Sequence, residues 1–472
     1  MRVQLPLIGP SYTNRELPLS AQVTQNLMAE IHPESRNVVA LHAYPGLTLF
    51  STLTGADRGL FEWNDELYAI AGTTLSRISS AGTATTVGTV AGSGLCDFAA
   101  SPSQLIITTG GTAYAASRTA VAAITDPDLV NPTTVGYLNS QFIYDQNSGT
   151  QGQFITSAAG DGTDIDALDF ATAESHPDDI LRIIVQNQLV NFMGGKTIEP
   201  WFNSGVGSPP FDRVQGAVKP YGLAGKDAVG VTDESIYFLD DQRIPRRMVG
   251  LAVTPIGNPS IGVAWREYST VSDAVGFAFT FDNQVFFQLT FPTANKSWLY
   301  QESSNSWGEL ASGVDGARHR AQSHAYVYGK NIVADHSTGL LFELDPDVYT
   351  DNGAVIQRKR ATATIHSKLY ASLGAPPGVE VFYNRVGFVV QTGEGLTTGQ
   401  GSDPQLMIRF SDDSGRTWSA EDWYPLGAGG DYLRRVELTN QGRAFDRIYE
   451  LTYTDPTKFT LIDAWADVSF GI

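Results

Sequence analysis

Residues 411–418 read Ser-Asp-Asp-Ser-Gly-Arg-Thr-Trp. Ser411, Asp413, Gly415, Thr417 and Trp418 fit the S-x-D-x-G-x-T-W pattern, the Asp-box of sugar-cleaving propellers. In that pattern the Ser and Asp side chains accept from turn amides, the Gly supplies a positive φ and the Trp packs beneath the hairpin. It closes a turn and supplies no nucleophile or acid. Glycoside hydrolysis needs a pair of carboxyl groups held across the scissile bond, and no repeat of this chain offers an evident set. The five residues are therefore expected to be structural.

Other stretches imitate chemical sites. Gly194-Gly195-Lys196-Thr197 copies the end of a phosphate-binding loop, but Val190 stands where the first glycine belongs and Pro200 interrupts any following helix. A hairpin turn is expected there. Asp161, Asp164, Asp166 and Asp169 crowd nine residues without the spacing of a calcium loop, so an exposed acidic loop is expected. His319 and His324 are five apart and no HExxH occurs. No G-x-S-x-G elbow is present, and Cys96 is the single cysteine. Trp201, Trp298 and Trp307 have the chemistry to stack on sugar rings, but at strand ends such residues pack between sheets. No catalytic residue, metal site or cofactor is expected.

The elements that carry these residues are β-strands. Glycine (47) and proline (23) are abundant in the 472 residues, and apolar residues reach 42%, a composition of many short strands joined by tight turns. From about 58 to 350 a strand–turn–strand theme recurs, with turns near 65, 103, 140, 188, 227, 283 and 330. Spacing of about 40–50 residues is that of propeller blades. Seven blades are favoured and six is the competing count, because the copies at 140 and 227 are weak. Longer alternating strands follow. The expected organisation is an extended N-terminal arm over 1–50, carrying Pro6, Pro10, Pro18 and Pro33, a propeller over 51–353 and an antiparallel β-sandwich over 354–472.

The net charge is −19, which repels phosphate and disfavours a DNA grip, though not a wall past which DNA slides. No apolar run approaches the length of a membrane span, and MRVQLPLIGP has no signal-peptide core, so synthesis in a cytoplasm is expected.

The order of motifs resembles a family. Tyr12 with Arg15, Ser20 with Gln22, Asn26 to Glu30, and Pro45-Gly46-Leu47 are similar to the opening of the packaged-DNA stabilisation proteins of short-tailed bacteriophages. The run through 174–241, the segment 289–309 and the closing stretch from Ser411 onward resemble the same family. Gly222-Leu223 and Phe238-Leu239-Asp240 depart from its pattern. The resemblance implies a tail hub or nozzle: a ring of six copies below the portal–adaptor that closes the DNA exit channel after packaging. It further implies a conduit for ejected double-stranded DNA and an anchor for the tail needle, fibres or tailspikes. Tyr12, Arg15, Gln22, Asn26, Glu30, Pro45 and Gly46 are then candidate assembly residues. The rival readings are a virion-associated glycosidase and a glycan-binding propeller for host attachment.

Overall fold

The computed structural model describes residues 1–13, 20–31, 39–173 and 176–471; Arg15, Pro18 and Pro33 lie outside them. The strand pairs read from the sequence fold as hairpins because their turns have the right local chemistry. Asn64-Asp65, Asn139-Ser140, Asn187-Gln188, Asp282-Asn283 and Tyr328-Gly329 all hold positive φ at both central positions. That is the type I′ turn whose twist matches antiparallel strands, and Asn, Asp and Gly tolerate it best. The turn expected near 227 falls later, where Thr232 N–H donates to Ser235 O at 2.9 Å.

Six sheets are self-contained four-stranded blades. The first is built from Asp57–Trp63, Glu66–Ala71, Thr74–Ile78 and Ala84–Thr89. Four more follow over 97–123, 135–172, 180–213 and 229–255. The sixth takes three strands from 321–345 and its outer strand from Gly46–Thr52, paired from Gly46 opposite Asp345 to Thr52 opposite Leu340 with one bulge at Phe50. The N-terminal strand thereby closes the ring.

The favoured seven-blade count is corrected to six self-contained blades. The strands around the turn at 283, Val275–Phe281, Gln284–Phe291, Lys296–Gln301 and Ser306–Ser312, do not form a sheet of their own. This meander sits beside the closing blade, where Asn331 Nδ2 donates to Thr280 O at 3.1 Å. Its last strand continues through Ala21–Gln25 and Arg358–Ala361 into Asp446–Tyr453, Gln405–Ser411 and Asp422–Pro425, giving one twelve-stranded sheet. Sequence spacing sees hairpins and is blind to this fusion, which joins strands more than three hundred residues apart.

The second face of the sandwich is a seven-stranded sheet ordered Leu27–Ile31, Val39–Ala43, Thr460–Phe470, Val381–Val390, Val436–Thr439, with Arg2–Gln4 and Arg443–Ala444 at its sides. Val3, Leu5, Leu7, Leu27 and Leu41 share its core with Phe388, Tyr449, Leu451 and Leu461. Each fully buried aliphatic side chain contributes about 1.5–3 kcal/mol relative to exposure. The first fifty residues therefore do not stand off as an arm among the described residues. Val3, Leu5, Leu7, Leu27 and Leu41 are spent inside the chain's own sandwich, and residues 46–52 belong to a blade. Asp161–Thr172 is likewise a long edge strand with a bulge, where an acidic loop was expected.

Candidate functional site

The Asp-box forms the loop between Gln405–Ser411 and Asp422–Pro425, in the sandwich and outside the blades. Asp413 Oδ1 accepts from Arg416 N–H at 3.0 Å, Thr417 N–H at 2.8 Å and the Ser411 hydroxyl at 2.8 Å, and Oδ2 accepts from the Thr417 hydroxyl at 2.6 Å. Those bonds, led by Thr417, hold its carboxyl down at about 2. Gly415 lies at φ 86° and donates to Ser411 Oγ at 2.8 Å. Trp418 rests against Ala21, Ala361 and Ile448, with the Arg409 guanidinium 4.7 Å above its ring. Four of the bonds to this carboxylate come from its own turn, so its principal work is to close the hairpin.

The assembly candidates converge on a seam between the N-terminal strands and the 346–361 connection. Arg360 is fully buried, and among the described residues no carboxylate lies against it. Its guanidinium donates to Leu7 O at 2.5 Å, Pro10 O at 3.1 Å, Val23 O at 3.3 Å, Thr24 Oγ1 at 2.8 Å and Gln22 Oε1 at 2.9 Å. Burial pushes its pKa down to about 9. Tyr12 pairs with Gln22 in the adjoining ladder. Asn26, at φ 54°, donates through Nδ2 to Ala311 O at 2.9 Å and Gln357 O at 2.8 Å, and its Oδ1 accepts from Ala311 N–H at 3.0 Å. It thus ties the meander to the connection. Glu30 lies 3.2 Å from His42 on the neighbouring strand. Gly46, after Pro45, donates to Val348 O at 2.8 Å, and a Cβ there would stand 2.4 Å from that oxygen.

The remaining imitations resolve into structure. In the phosphate-loop look-alike, Lys196 N–H and Thr197 N–H both donate to Asp178 Oδ2, at 2.6 and 3.3 Å. A carboxylate of the chain thus fills the position an incoming anion would take. Trp201, Trp298 and Trp307 are buried, with their indole N–H groups donating to Glu199, the Tyr268 hydroxyl and Ile256 O. His319 meets Tyr44 edge-on and His324 stacks on Phe277, so the two rings serve different contacts. Cys96 is buried and pushed up to about 11, chiefly by desolvation, which keeps it a thiol.

Sequence reasoning missed the buried cations. Besides Arg360 these include Arg58, which donates to Gly94 O and Val90 O at 2.8 Å, Arg358, which donates to Tyr349 O at 2.9 Å, and Arg447, bidentate to Asp412 at 2.6 Å and stacked 4.2 Å from Phe410. It also missed a tie across blades, in which Arg182 bridges Asp97 at 2.7 Å and Asp227 at 3.2 Å. Only the alternation that puts Arg358 and Arg360 on one face, beside buried Ala361, hinted at any of this. Among the described residues no cluster of His, Cys, Asp and Glu is arranged to hold a metal, and no helix is long and apolar enough to cross a membrane.

A propeller closed by the strand over 46–52 and joined to a β-sandwich through buried polar seams defines an all-β protein of two packed domains. Comparison with known families specifies it. Residues 3–349 match the β-propeller domain of bacteriophage P22 Gp10 and residues 380–469 match its β-sandwich domain. The chain belongs to this family of phage tail hub and stabilisation proteins, structural components of the virion tail. No curated protein sequence matches the chain. Among solved structures, the Neurospora crassa Pan2 WD40 domain is 9% identical over 64% of this chain and 96% of its own, with a TM-score of 0.42. BamB from Moraxella catarrhalis is 9% identical over 73% and 98%, with a TM-score of 0.38. PorZ of Porphyromonas gingivalis is 11% identical over 80% and 46%, with a TM-score of 0.39.

Proposed function

We propose that this protein is a tail-hub or nozzle subunit that assembles as a ring of six copies beneath the portal–adaptor. There it closes the DNA exit channel after packaging, becomes the conduit for genome ejection and anchors the tail needle, fibres or tailspikes. It is made in the host cytoplasm, and it works without catalysis. The observation that carries this reading is the ordered match of both domains to one structural tail family, over 3–349 and 380–469.

The physics of the chain is compatible. A net charge of −19 suits a wall that double-stranded DNA must pass without sticking. The fused twelve-stranded sheet suits a subunit that must resist a pressurised genome without hinging. Tyr12, Gln22, Asn26, Glu30, Pro45 and Gly46 would then serve assembly indirectly, by fixing the N-terminal strands, and Arg15 would serve alongside them. The Asp-box residues Ser411, Asp413, Gly415, Thr417 and Trp418 would stabilise one hairpin and nothing else.

Electron microscopy of particles carrying a tagged copy of the chain tests the proposal. Six copies in a ring below the portal are expected. A monomer that never joins portal–adaptor assemblies, at micromolar concentration and with the partners present, refutes it.

A further inference from the structure

Between Arg118 and Arg182 the chain has no Lys or Arg but ten Asp and Glu residues. This stretch contains the whole blade over 135–172. Its outermost strand, Asp161–Thr172, pairs among the described residues on one side only, with Gln153–Ala158. The register opens in its middle: Ile165 faces Ser157 and Phe170 faces Ile155, so four residues of one strand answer a single residue of the other.

That bulge pushes an apolar side chain outward. Leu168 is 75% exposed and Phe170, two residues on, is 43% exposed. The Ser208 hydroxyl bonds Asp169 and draws the 204–208 loop alongside, bringing Val206, itself 76% exposed. Asp164 and Asp166 flank the apolar spot on the same strand. Charges and a bulge would by themselves guard an open edge against aggregation. A guarded edge, however, has no use for Leu, Phe and Val in water.

We infer that this edge is a docking site for an extended, Lys- or Arg-bearing segment of another virion protein, which adds as a strand and buries Leu168, Phe170 and Val206. Charge selects the occupant. Another copy of the same face, and DNA, would both meet repulsion from the unbroken acidic stretch, whereas basic side chains beside apolar ones complement it. The inference rests on the chain being built into a tail.

The test uses assembled particles and the free full-length chain. Hydrogen exchange across 163–172 is expected to be fast in the free chain and slowed in the particle. A carbodiimide should couple Asp164 or Asp166 to a lysine of a different virion protein. Leu168→Ser with Val206→Ser removes exposed groups only. It should leave thermal unfolding unchanged and weaken docking by about a hundredfold or more, read as a near loss of cross-link, the effect of losing two buried aliphatic side chains. Asp164→Asn with Asp166→Asn provides the charge arm and should make the protection salt-insensitive and weaker. Coupling to a lysine of a second copy of this chain overturns the assigned occupant. A chain present in particles whose 163–172 amides exchange at the free rate overturns the docking site and leaves the tail-hub reading standing. A chain absent from particles overturns both.

Discussion

Acid should act on the stability of the propeller through three residues set in opposition. His319 and His324 are pushed down to about 4 by burial, the latter with its ring against both Phe277 and Phe279. Asp57 is pushed up to about 7 by burial, against the pull of the Ser323 hydroxyl at 2.7 Å and Gly59 N–H at 3.0 Å. Between about pH 6.5 and pH 4 the unfolded chain binds two histidine protons that the folded chain refuses, so these residues cost stability as pH falls. Over about pH 7 to pH 4 the folded chain holds a proton on Asp57 that the unfolded chain releases, so Asp57 adds stability as pH falls. From pH 7 to pH 5 the linkage gives a loss of about 2 kcal/mol per histidine and a gain of about 2 kcal/mol from Asp57. Other carboxyls raised by burial, Asp145, Glu309 and Asp351, act alike in every variant and cancel in differences. Urea unfolding followed by tryptophan fluorescence at both pH values checks this. Relative to the unsubstituted chain, Asp57→Asn should lose about 2 kcal/mol more on going to pH 5. The pair His319→Gln and His324→Gln should lose about 4 kcal/mol less, whatever constant offset each substitution carries. Difference curves that stay flat between pH 7 and pH 5 would refute the assignment of these groups.

Other outcomes follow from single contacts. Arg360→Met keeps the volume but strands the oxygens of Leu7, Pro10 and Gln22, and should cost about 3–5 kcal/mol in chemical denaturation. Gly46→Ala drives a Cβ to 2.4 Å from Val348 O and should cost more than about 2 kcal/mol, with early proteolysis of the first fifty residues as its sign. Gly415→Ala, at φ 86°, should cost about 1 kcal/mol in calorimetry. Unchanged stability there would mean the turn is not held as described.

The hairpins were legible because a type I′ turn is a local problem with few residue solutions. Asn64-Asp65, Asn187-Gln188 and Asp282-Asn283 announce themselves within two positions. What stayed hidden was pairing at long range. Nothing in Ala21–Gln25 says that it will bond Arg358–Ala361, and nothing in the 275–312 meander says that its sheet will continue into the C-terminal domain. The candidate assembly residues were visible as motifs, but not as one seam, since Asn26 meets Ala311 and Gln357 only in the folded chain.

Arg360 and the prolines of the first ten residues are best understood as one device. Pro6 and Pro10 have no N–H to put into a ladder, so the segment around them does not run on as a regular paired strand, and its carbonyls must find donors elsewhere. Burying that segment against the sandwich core would leave Leu7 O and Pro10 O without donors. A guanidinium presents five N–H donors in a fixed plane and accepts nothing in return, which suits a pocket lined by oxygens. Arg360 meets the need at five oxygens, all of them backbone carbonyls or neutral side chains. A run of basic residues that looks like a solvated strand face is, at this position, the complement of irregular backbone more than three hundred residues away.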